Sequence, residues 1–259
     1  MRTGVISHIA SVVVLAAGQG KRMKSELPKV LHPVCGRPML VHVLTAARVV
    51  DAKRTVVVLG HGYEQVLPHL PDDSVVALQA PQLGSGHALL AAAESILPGS
   101  VLVLSGDTPL ITRGVLQALV RDHAASGGAA TVLTMELADP SGYGRVVRDA
   151  DASVLRIVEH RDANPDELAI NEVNAGLYVL PAPLVLEILA DMGAENDQGE
   201  IYLTDVIEGL RERGEKVTAS KVSDPTLVLG VNTQTELAQA EALMGRRIER
   251  EKQTRSRHR

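Results

Sequence analysis

The residues best suited to chemistry lie in one short run, Leu15-Ala16-Ala17-Gly18-Gln19-Gly20-Lys21-Arg22-Met23. Two glycines among small side chains let a backbone approach a ligand closely and turn its N–H groups toward it. Lys21, Arg22 and, further along, Lys29 add positive charge. N–H groups and cations gathered this way suit a polyphosphate. Spacing excludes two familiar phosphate loops. A Walker loop has glycine where Leu15 stands and Ser or Thr where Arg22 stands, and a dinucleotide fingerprint has a third glycine in place of Met23. Taken alone, the run also fits a plain strand-to-helix turn with solvated Lys and Arg.

Two further residues follow apolar runs. Asp107, in Ser105-Gly106-Asp107, comes directly after Val101–Leu104, and Asn232 ends Leu229-Gly230-Val231-Asn232. The C-terminal ends of strands are where open α/β sheets hold ligands, although an Asp or Asn there also serves as a helix cap. No Ser/His/Asp or Cys/His constellation stands out, and the nine His show no His-Glu-x-x-His spacing. Cys35, in the turn Pro33-Val34-Cys35-Gly36, reads as a small packed residue rather than a nucleophile.

These residues need a scaffold, and the chain's patterning supplies one. Ser11–Leu15, Thr55–Gly60, Val75–Gln79 and Val101–Leu104 are Val-rich and short enough for buried strands. Helical spacing fills the intervals Met39–Val50, Tyr63–Leu70 and Gly86–Leu97. The first half therefore reads as βαβ units on a parallel sheet with helices on both faces. Ala129–Met135 adds a strand, and Arg145–Arg148 with Val154–Glu159 a β-hairpin. Then come a strand at Gly176–Leu180, a helix at Pro183–Met192, and a helix at Thr204–Arg213 with Thr204 as N-cap. Val217–Val222 and Thr226–Gly230 read as late strands, and Thr233 to about Lys252 as an amphipathic helix.

Composition narrows the function classes. The 259 residues carry a net charge of −5, one Cys, four Tyr and neither Phe nor Trp. A core of Val, Leu, Ile, Ala and Met follows, and aromatic platforms for single-stranded nucleic acid are excluded. Between Gly245 and Arg259 seven Arg or Lys face two Glu, so an acidic body at −10 carries a basic tail at +5. That division argues against a broad nucleic-acid face on the body. A lone Cys rules out an internal disulfide framework and fits a reducing compartment. The run Val12–Ala17 is too short for a signal core or a membrane span, so a cytoplasmic protein without membrane attachment is expected.

The run from Gly18 through Lys29 to Pro38 and Met39 resembles the signature of sugar-1-phosphate nucleotidyltransferases. More narrowly it is similar to the uridylyltransferase domain of the bacterial bifunctional enzymes that make UDP-N-acetylglucosamine. Five later stretches resemble the same family in the same order: Gln79-Ala-Pro-Gln82-Leu-Gly84-Ser85-Gly86, Ser105-Gly-Asp107, Gly142-Tyr-Gly144-Arg145, Val158-Glu159 with Asn171-Glu-Val-Asn174, and Asn196-Asp-Gln-Gly-Glu200-Ile-Tyr202-Leu-Thr204. Departures are small: Lys21, Ser85 and Asp197 stand where the family usually has Thr, Thr and Ala.

The resemblance implies a Rossmann-like nucleotidyltransferase fold of GT-A type, α/β with a mixed, mainly parallel sheet flanked by helices and a C-terminal helix. It implies that UTP is held by Leu15, Ala16, Ala17, Gly18, Gly20, Arg22, Lys29, Gln79, Gln82, Gly84 and Ser85. Gly144, Glu159, Asn174, Tyr202 and Thr204 are implied for N-acetylglucosamine 1-phosphate, and Asp107 and Asn232 for Mg²⁺. Arg22, Lys29 and Asp107 become the catalytic set of a UDP-N-acetylglucosamine diphosphorylase serving cell-wall precursor synthesis. One nucleotidyltransferase domain is expected over 1–232, with sugar-binding insertions at about 139–205, then a helix and basic tail over 233–259. No hexapeptide repeat is present, so neither the acetyltransferase β-helix nor the trimer contact it provides is expected.

Overall fold

The computed structural model describes residues 9–192 and 199–257. Its strands, in chain order, are β1 (Ile9–Ala16), β2 (Pro33–Val34), β3 (Arg37–Pro38), β4 (Arg54–Leu59), β5 (Ser74–Leu78), β6 (Ser100–Ser105), β7 (Ala130–Glu136), β8 (Arg145–Arg148), β9 (Val154–Val158), β10 (Glu172–Pro181) and β11 (Val217–Lys221). The helices are α1 (Met39–Ala47), α2 (Tyr63–Val66), α3 (Ser85–Ala91), α4 (Arg113–Ser126), α5 (Pro165–Leu168), α6 (Ala182–Asp191), α7 (Val206–Glu212) and α8 (Gln234–Arg257).

Nine strands form one sheet in the order β11-β7-β10-β6-β1-β4-β5, with the β8–β9 hairpin attached to β10. β1 pairs in parallel with β4 and β6, β4 with β5, and β11 with β7. Only β10 runs against its neighbours β6 and β7 along that path. The mixed, mainly parallel sheet and the C-terminal helix are as expected. The alternation of the Val-rich strands explains why both faces are covered. Val12 and Val14 point to a core shared with Leu40, Val43 and Leu44 of α1 and Leu116 and Leu119 of α4. Val13 points the other way, to a core shared with Leu89 of α3, Val185 and Leu189 of α6 and Ile207 and Leu210 of α7. Successive strand residues face opposite sides, so a run apolar at every position suits only a sheet buried on both.

A smaller cluster seats α8. Val34, Met39, Leu110, Val231, Ala240 and Met244 pack together, with Cys35 half-buried against them. Cys35 and Gly36 both have positive φ, 47° and 77°, which closes the β2–β3 hairpin in a two-residue turn. The Cys35 N–H donates to Glu241 on α8 at 2.7 Å.

Two expectations fail. Thr226–Gly230 is not a strand: Pro225–Leu227 forms a 3₁₀ turn that Asp224 caps by accepting from the Thr226 N–H. Pro225 has no N–H for a ladder, and the Asp supplies a local alternative for the backbone. Thr204 does not cap α7 either. It lies in a 3₁₀ turn, Leu203–Asp205, and its hydroxyl donates to Glu159 Oε1 at 3.0 Å.

Candidate active site

β1 and β6 are neighbours in register, Leu15 opposite Ser105, so the glycine loop and Asp107 leave the sheet side by side. The Gly106 N–H donates to Leu15 O at 2.9 Å, closing the two strand ends together. Gly20 then takes φ +65° ahead of the 3₁₀ turn Lys21–Met23, and a Cβ there would lie 2.6 Å from the Cβ of Lys29. Only glycine lets the loop come this close, which brings Lys29 into the site.

Asn232 arrives from the other end of the chain. The Val231 N–H donates to Asp107 O at 2.9 Å. Glu236 holds the turn from below, accepting from the N–H groups of Asn232 at 2.6 Å and Thr233 at 2.9 Å, while Thr233 Oγ1 accepts from Glu236 N. That reciprocal cap starts α8 and fixes Asn232 with it. Gln234 donates to Met23 O at 3.0 Å, tying α8 back to the loop.

These ties produce one focus. Lys29 Nζ pairs with the Asp107 carboxylate and donates to Asn232 Oδ1 at 2.6 Å, and Arg22 reaches the same oxygen at 3.0 Å. Two oxygens, one from a carboxylate and one from an amide, thus converge on a single cationic centre. The pair fits a hard cation that completes its shell with water and phosphate oxygens. Among the described residues no group of three or more His, Cys, Asp or Glu forms an all-protein metal cage.

Around this focus lies an open cleft of about 500 Å³. Its walls take in Leu15, Ala17, Gly18, Gly20, Arg22, Lys29, Gln79, Gln82, Gly84, Ser85, Asp107 and Asn232. Gln79 donates to Gly84 O at 2.8 Å, and Gln82 donates to Ala17 O, so each amide is oriented by the chain itself. Ala16 lies beneath, buried in the core. Gln19, Ala88 and Glu200, to which the sequence alone assigns no role, also line the cleft.

The expected sugar residues form a second cluster rather than part of this wall. Asn174 N donates to Gly144 O at 2.9 Å, and a Cβ on Gly144 would lie 3.5 Å from Glu159 Oε1. Glu159 accepts from Thr204, and Asn174 donates to Tyr178 Oη at 2.5 Å. Tyr202 is buried beside Leu203, whose N–H donates to Ser85 Oγ at 3.0 Å. Further links join the cluster to the cleft: Ser105 Oγ donates to Gly176 O at 3.2 Å, and the N–H of Ile201, next to Glu200, donates to Leu83 O at 2.8 Å. Positions 196–198 of the matching run lie outside the described residues. Burial raises Glu159 above the usual carboxylate range, and burial with the Glu159 charge raises Asp205 to about 6. Burial, then Glu241, pushes the Cys35 thiol up, the opposite of nucleophile activation.

A family profile described as the MobA-like NTP transferase domain matches residues 12–192. The chain is 47% identical over 241 residues to the bifunctional protein GlmU of Shouchella clausii, covering 92% of this chain and 53% of that protein. It is 44% identical over 251 residues to the bifunctional protein GlmU of Thermobifida fusca, covering 93% and 52%. The chain therefore spans about half the length of the curated relatives it matches. In fold it resembles a UDP-glucose pyrophosphorylase crystallised with UDP-glucose, at a TM-score of 0.73 and 17% identity, over 92% of this chain and 99% of that one. Among the described residues no helix is long and apolar enough to cross a membrane.

Proposed function

The chain belongs to the MobA-like NTP transferase domain family, and from that premise we propose that it transfers UMP from UTP to N-acetylglucosamine 1-phosphate, releasing pyrophosphate. The observation that carries this reading is the convergence of Asp107 and Asn232 on one cationic point beside Arg22 and the glycine loop. Likeness to relatives named GlmU supports the choice of substrates. The catalytic unit is 1–232, with 233–259 as the helix and tail that anchor Asn232, acting in the cytoplasm.

A phosphate oxygen of the sugar phosphate attacks the α-phosphorus of UTP in line. One P–O bond forms while the bridge to the β-phosphorus breaks, and the electron pair leaves with pyrophosphate. A phosphate monoanion or dianion needs no activated Ser or Cys, in keeping with the raised Cys35 thiol. The loop from Leu15 to Gly20 holds the triphosphate by its N–H groups, and Arg22 and Lys29 offset the charge that develops on the leaving group. Asp107 and Asn232 would hold Mg²⁺, which would supply neutralisation of the phosphate charge. Gln79, Gln82, Gly84 and Ser85 read the base through amide and backbone groups. Gly144, Glu159, Asn174, Tyr202 and Thr204 hold the N-acetylated sugar.

The test is pyrophosphate release from UTP with and without Mg²⁺ across a panel of sugar 1-phosphates. N-acetylglucosamine 1-phosphate should be turned over fastest, and only with the metal. Preference for glucose 1-phosphate or another nucleotide would move the protein to a different member of the class. Binding of UDP-sugars without turnover would make it a regulator.

A further inference from the structure

Among the described residues Arg145 is the largest fully buried side chain, and it carries a charge. Among the described residues no carboxylate lies within salt-bridge distance of it; the exposed Asp139 acts on it only at longer range. Its Nε has no hydrogen-bond partner. A buried guanidinium left so poorly compensated weakens a fold, and an apolar side chain of similar volume would pack at less cost. The two contacts it does make explain its presence: it donates through one terminal nitrogen to Tyr143 O and through the other to His160 Nδ1 at 3.4 Å.

Those contacts sit at one rung of the sheet. Arg145 follows Gly144, and its cross-strand partners Val158 and Val173 immediately precede Glu159 and Asn174. Three residues assigned to the sugar are therefore each one position from Arg145 or from its pairing partners. Tyr143 O belongs to the peptide whose other end is the Gly144 N–H. A trans peptide is planar, with N–H and C=O on opposite sides, so fixing the carbonyl also aims the N–H. His160 directly follows Glu159, so the second contact fixes the chain where the carboxylate leaves β9.

We propose that Arg145 is a positioning residue for the sugar phosphate: its guanidinium fork aims the Gly144 N–H and holds the Glu159 end of the hairpin against it. This assignment rests on the sugar-site reading given above. Arg145 does not touch substrate; it acts through Gly144 and Glu159. The fork is essential because one planar group must reach two acceptors, which an ammonium cannot do in the same geometry.

Initial rates with each substrate varied in turn test the idea on the wild type and on Arg145→Met, Arg145→Lys and His160→Ala. The KM for N-acetylglucosamine 1-phosphate should rise roughly tenfold in Arg145→Met, with the KM for UTP within about twofold of wild type. Arg145→Lys should resemble the Met variant rather than wild type, and His160→Ala should show a smaller rise in the same constant. If Arg145→Met loses its cooperative thermal transition, the other two variants carry the test. Unchanged constants, or equal changes for both substrates, overturn the assignment while leaving the proposed reaction standing. A wild type that turns over no N-acetylglucosamine 1-phosphate overturns both.

Discussion

Lys29 Nζ lies 2.6 Å from Asn232 Oδ1 while pairing with the carboxylate of Asp107, so the chain's own cation sits at the point where its two donor oxygens meet. Both side chains of the ion pair are mostly buried, at 11% and 22% exposure, and solvent screens them less than a surface pair. A divalent ion and this ammonium cannot share the point. Lys29→Met should therefore bind Mn²⁺ several-fold more tightly than wild type in the absence of nucleotide, read by electron paramagnetic resonance, even as pyrophosphate release falls. Equal or weaker Mn²⁺ affinity in the variant would count against the two-oxygen site.

Asp107→Ala should lower turnover by roughly two to three orders of magnitude, as loss of a major charge-stabilising group does. The fold should survive, because the tie from Val231 runs to the main-chain oxygen of Asp107 and is independent of the side chain. Pyrophosphate release and far-ultraviolet circular dichroism together check this. Near-normal turnover in a folded variant would remove Asp107 from the catalytic set.

Gly84→Ala should cost about 2–3 kcal/mol of stability. Gly84 has φ +100°, and a Cβ there would lie 2.5 Å from the main-chain oxygen of Ile201. That oxygen accepts from Gly86 N, so the clash opens the seam between the loop at Gly84 and the segment carrying Tyr202 and Thr204. A lower urea midpoint with raised KM for both substrates is expected. A midpoint equal to wild type would show that the seam yields without cost.

Asp205 gives a pH dependence of defined sign. Its folded value, about 6, lies above the 3.8 from which burial and Glu159 raise it, so the folded state holds the proton more tightly. Its contribution to stability is full below about pH 4 and is lost as pH rises through about 6. Asp205→Asn should therefore be more stable than wild type at pH 7 by about 1–2 kcal/mol, less than the full shift because the group is partly solvated. The difference should shrink toward zero at pH 4. Urea unfolding at both pH values decides it, and a variant less stable at pH 7 would contradict the sign.

The scaffold was legible where apolar residues run unbroken. Val12–Val14 and Val101–Leu104 suit strands covered on both faces, and both lie at the centre of the sheet. Legibility failed where local chemistry outweighed pattern. Thr226–Gly230 holds a short apolar run of the kind that suits a strand, yet Asp224 and Pro225 bend its start into a 3₁₀ turn. Thr204 has the form of an N-cap, but the half-buried Glu159 takes its hydroxyl. Long-range pairing was hidden from local spacing, and only the family resemblance grouped the distant residues. The run of β10 between β6 and β7 sets Gly176 against Ser105, and the meeting of Lys29 with Asp107 and Asn232 spans separations of 78 and 203 positions. No local spacing encodes such distances, although the residue types at each end could be picked out singly.

The bond from Arg22 to Asn232 spans 210 positions, and Gln234 straps α8 onto the same loop across 211. During synthesis the glycine loop therefore emerges some two hundred positions ahead of the oxygen that completes its surroundings. A chain that stops short of Asn232 keeps the glycine loop but lacks the amide oxygen that Lys29 and Arg22 reach. On the proposed function, turnover then depends on closure of the fold from the glycine loop through to the start of α8, not on the loop alone.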